Sequence, residues 1–60
     1  MNEIQERLKK VYKINIEDSE RIIDLLTGST DPEELKYLQR AKDDLQMYTE
    51  KLKRLEEGDQ

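Results

Sequence analysis

The sequence predicts an all-α protein: two long helices folded into an antiparallel hairpin that self-associates into a four-helix bundle. Three observations carry this expectation. Apolar residues recur at helical spacing through both halves of the chain. One stop-and-start signal separates the halves. Finally, sixty residues with no cysteine and no histidine lack the usual supports of a very small fold. A chain this short buries only about 60% of its unfolded surface and leans on disulfides, a structural metal or association. Without Cys or His the disulfides and the common zinc ligands are gone, and association remains.

Helix one is expected over about residues 3–27. On a wheel of about 100° per residue, Ile4, Leu8, Val11, Tyr12, Ile14, Ile16, Ile22, Ile23, Leu25 and Leu26 fall in one arc of roughly 200°. Glu3, Glu6, Lys9, Lys10, Lys13, Glu17, Glu20, Arg21 and Asp24 occupy the opposite side. Ile14-Asn15-Ile16 alternates as a strand does, and Asn15 with Asp18 resembles a cap. A break there, however, would make the single arc an accident, so one continuous helix is predicted. Asn2 with Gln5 has the spacing of a capping box at its start.

The turn, residues 28–31, is the strongest local signal. Gly28 suits the left-handed residue that ends a helix. Asp31 suits the N-cap of the next, Pro32 its first position and Glu34 its third, where the carboxylate is expected to reach back to the cap.

Helix two is expected over about 32–57, with Gly58 as its stop. Acidic Asp31, Glu33 and Glu34 open it and basic Lys51, Lys53 and Arg54 lie near its end, as the helix dipole favours. Its apolar stripe is narrower. Leu38, Ala41, Leu45, Tyr48, Leu52 and Leu55 alternate steps of three and four, a coiled-coil seam about 100° wide. A narrow seam cannot cover a 200° arc, so helix one needs a second neighbour. The whole chain, 1–60, reads as a single hairpin domain.

Antiparallel pairing sets residues whose numbers sum to about 60 side by side. Leu8 then faces Leu52, Tyr12 faces Tyr48, Asn15 faces Leu45, Ser19 faces Ala41 and Ile22 faces Leu38. Ile23, Leu26 and Leu55 complete the expected core and self-association set. Ser19 and Ala41 are both small, which permits close approach. A polar Asn15 inside the apolar arc costs stability but can fix register and oligomeric state.

The charges narrow the function. The chain carries −4 overall, without the basic excess of a nucleic-acid binder. Residues 1–14 and 48–60 hold seven basic and six acidic side chains, and residues 15–47 hold four and nine. One end is thus about +1 and the loop-side portion about −5. Two hairpins with loops at opposite ends bring unlike potentials together. The basic group at the open end, Arg7, Lys9, Lys10, Lys13, Lys51, Lys53 and Arg54, is the one candidate nucleic-acid surface, but glutamates interrupt it. No catalytic, cofactor or metal residues are expected. His and Cys are absent, the two glycines stand thirty residues apart, and a two-helix chain has no deep cleft to perturb other side chains. Glu17, Glu20 and Asp24 read as a solvated face.

No segment approaches the ~20 apolar residues of a membrane span, and Met1-Asn2-Glu3 does not begin a signal peptide. A cytoplasmic protein is expected, with itself and another protein as partners and with neither nucleic acid nor membrane. The layout resembles that of Rop-type plasmid regulators, short hairpins that dimerise into four-helix bundles. That resemblance lies in length and layout, so their RNA binding is not carried over. The expected function is a homodimeric, non-catalytic interaction or regulatory protein, in the manner of a bacterial or phage accessory factor. An RNA-binding hairpin dimer and a structural scaffolding element are the alternatives.

Overall fold

Gly28 carries φ = +89°, the backbone sign that only glycine adopts without cost. It sits third in a β-turn closed by the Ser29 N–H donating to the Leu26 carbonyl at 3.0 Å. The helix before it ends with the Thr27 N–H on the Ile23 carbonyl at 2.9 Å, and the Thr27 hydroxyl donates to the same oxygen. Across the turn, Asp31 Oδ1 accepts the Glu33 N–H at 2.9 Å, while the Asp31 carbonyl accepts the first helical bond from Leu35 N–H. Asp31 is a true N-cap.

The computed structural model describes residues 3–57. Helix α1 spans Glu3–Leu26 and helix α2 spans Pro32–Glu57. The two are in contact as a hairpin. Helix α1 is unbroken through Ile14-Asn15-Ile16, because capping there would sacrifice several backbone bonds and split the apolar arc. The Asn2 cap and the Gly58 stop lie outside the described residues.

One expectation at the turn is corrected. Glu34 does not reach the Asp31 N–H directly. The Ser29 hydroxyl stands between them, donating to Glu34 Oε1 and accepting the Asp31 N–H at 3.2 Å. A hydroxyl can donate and accept at once, so Ser29 extends the capping box by one member. Its own N–H closes the turn on α1, and thus one residue ties both helix ends.

The hairpin zips in the expected register. The Tyr12 and Tyr48 rings lie 6.1 Å apart and tilted by 36°, within the range of favourable aromatic pairs. Ser19 and Ala41, also partners in that register, are both buried. Small side chains there let the helices close on each other.

The resulting body is a rod, 44 × 15 × 13 Å, with a radius of gyration of 13.9 Å. A compact chain of this length would have about 10 Å. Two helices side by side enclose little. Among the described residues the buried set is Leu38, Ala41 and Ser19. Among the described residues no helix is long and apolar enough to cross a membrane.

Candidate interaction surface

The sides of α1 differ in what they meet. At about 100° per residue, Tyr12, Ile16, Ser19, Ile23 and Leu26 point towards α2. All are buried or half-buried. Their counterparts Leu45, Tyr48, Leu52 and Leu55 on α2 are half-buried, and Leu38 and Ala41 are buried. This is the hairpin's own seam.

A second apolar row runs beside it, turned by roughly 90–100° around α1. Ile4, Leu8, Val11, Ile22 and Leu25 form it, and every one is exposed, from 37% at Leu8 to 76% at Leu25. Single exposed apolar residues are ordinary on a protein surface, whereas several aligned along one helix side, here in two stretches separated by Asn15 and Asp18, suit a contact site. Asn15, half-buried, sits in this row at its midpoint. On the same side of the rod α2 contributes Tyr37 and Met47, both exposed. Ile14 flanks the row further out and is also exposed.

Between the helices this face holds a shallow notch of about 220 Å³, lined by Ser19, Ile22, Tyr37, Arg40, Ala41 and Asp44. Its floor is the close-approach layer, where two small residues leave a gap. Arg40 and Asp44 bring one charge of each sign to its lining.

Leu8 and Ile22 fall differently from the simple zipper. The expected layers Leu8–Leu52 and Ile22–Leu38 place both inside the hairpin, yet Leu8 is 37% and Ile22 40% exposed. Their wheel positions explain this. Both lean towards the second row, and α2 is one cylinder wide. Ile4, Val11 and Leu25 were absent from the expected contact set although they lie in the same arc. Their spacing from Leu8 and Ile22, in steps of three and four, was the available signal.

No family model, curated protein or solved structure matches this chain.

At about 100° per residue, Arg7, Lys51 and Arg54 fall towards the apolar side of their helices and Lys9, Lys10, Lys13 and Lys53 away from it, so the basic group is divided between sides. Lys9 is half-buried and the others are exposed. Arg7 is bound to Glu3 at 3.0 Å. Among the described residues no group of three or more acidic side chains is placed to hold a metal.

Proposed function

We propose that this chain is a small non-catalytic interaction protein that works as a homodimer, two hairpins packed face to face as a four-helix bundle. The observation that carries the reading is the exposed row Ile4, Leu8, Val11, Ile22 and Leu25 beside a hairpin core that, among the described residues, holds Leu38 and Ala41 as its buried apolar side chains. Fully burying a side chain of this size contributes about 1.5–3 kcal/mol, and these five are 37–76% exposed, so covering them adds a few kcal/mol to a fold with little to spare. A non-catalytic role is supported by the residue inventory, which lacks the side chains that do acid–base or nucleophilic work at neutral pH. The dimer is then the binding unit, and a larger protein its partner.

Sedimentation equilibrium at micromolar concentration tests this. The expected mass is twice the 7.2 kDa of one chain. A folded species that stays at one chain mass as concentration rises sinks the proposal. RNA binding has weaker support, since cations divided between sides and interleaved with glutamates do not track a phosphate backbone as a stripe does.

A further inference from the structure

Resting on the self-association proposed above, we infer that α1 pairs with the α1 of a second copy, antiparallel, about a twofold axis passing beside Asn15. The exposed row continues through Asn15 and Asp18, so that its members follow one another in steps of four and three along the whole helix. That is the spacing of a coiled-coil seam. Helix α1 therefore carries two seams side by side, one spent on α2 and one open.

The open seam is close to a palindrome. With Asn15 at the centre, antiparallel overlap brings together residues whose numbers sum to about 30 at 1.5 Å rise per residue. Leu8 meets Ile22 of the copy, Ile4 meets Leu25 and its neighbour Leu26, and Val11 meets Asp18 beside the notch. Apart from Asp18 and the central Asn15, apolar residues meet apolar ones. Seating α1 on the copy's α2 instead sets the same side chains over Glu33, Arg40 and Lys51, which lie on that side of α2. The apolar pattern thus selects α1 against α1.

Charge selects the direction. On this face the open end presents Arg7 and Lys51, and the loop half presents Asp18, Glu33 and Asp44 with Arg40. Loops at opposite ends lay the basic half of one copy over the acidic half of the other. Loops together would set Asp18 against Asp18 and stack the two −5 portions. Asn15 is level with Leu45, midway along both helices, so full overlap places the axis there. A carboxamide both donates and accepts, and two related by a twofold axis satisfy each other. A shift of one heptad leaves that amide facing Leu8 or Ile22 unpaired.

The native chain has no cysteine, so engineered thiols report position without background. Asn15→Cys is expected to form a disulfide-linked dimer on mild oxidation. Leu8→Cys and Ile22→Cys are each expected to stay unlinked alone and to crosslink when the two variants are mixed. A spin label on Thr30→Cys, exposed in the turn, should show a separation near the 44 Å length of the rod. The label leaves the core untouched and reads orientation even if a seam variant misfolds. A dimer by sedimentation whose loop labels lie close together overturns this inference and leaves self-association standing. So does a dimer with distant labels in which neither position 15 nor the 8/22 mixture crosslinks. A monomer at every concentration overturns both.

Discussion

Gly28, Ser29 and Asp31 govern the reversal of the chain, each by a different means. A Cβ on Gly28 would meet no atom within 4 Å, so steric room is not the constraint. The constraint is φ = +89°, which costs an L-residue about 1–2 kcal/mol. Gly28→Ala is expected to lower stability by about that amount and Gly28→Asn by less, as measured by urea denaturation at fixed protein concentration. If alanine were neutral, the turn would not need its left-handed residue. Asp31→Ala removes the acceptor of the Glu33 N–H and should cost about 0.5–2 kcal/mol. Ser29→Ala breaks both the donation to Glu34 and the acceptance from Asp31, with an expected loss near 1 kcal/mol. In a double variant of Ser29→Ala with Glu34→Gln, the second change should add little, because the link it touches is already gone. Gly28 and Asp31 were legible in the sequence because helix ends are local and leave the same orphan groups everywhere. The bridging role of Ser29 was not. It depends on a hydroxyl lying within reach of two groups at once, and spacing alone does not encode that.

At the scale of the helices, the width of an apolar arc decides how many neighbours an element needs. The continuity of α1 through residues 14–16 and the pairing of Tyr12 with Tyr48 both followed from periodicity. The sharing of the arc did not, because a wheel says which residues lie together but not where the neighbour's edge falls. Leu8 and Ile22 are the residues on that edge. This yields a contrast between two substitutions. Leu38 is 8% exposed inside the hairpin, so Leu38→Asp buries an unpaired charge and is expected to unfold the chain at every concentration. Ile22→Asp stands where the lone hairpin is already open to water. It should abolish the dimer, seen as a fall to one chain mass, with helix lost to the extent that the lone hairpin depends on its partner. A dimer that persists in Ile22→Asp would mean that the open row is not its interface.

For the whole molecule, folding and association become one equilibrium if the second seam is needed for stability. Two chains then unfold together, and mass action makes the melting temperature depend on concentration. The size of the effect follows from the unfolding entropy, near 2.1 cal/mol/K per residue. A pair of sixty-residue chains has about 250 cal/mol/K, against roughly 1.5 kcal/mol for each tenfold change in concentration at the transition. The midpoint should therefore climb by about 6 °C per decade of protein concentration. Circular dichroism from micromolar to hundreds of micromolar measures this slope directly. A slope near zero with a cooperative transition would place all the stability inside one rod, against the expectation from Leu38 and Ala41 as the buried apolar side chains among the described residues. The same slope measured on Ile22→Asp should vanish even where some helix survives, which assigns the concentration dependence to the open face of α1 and not to non-specific aggregation.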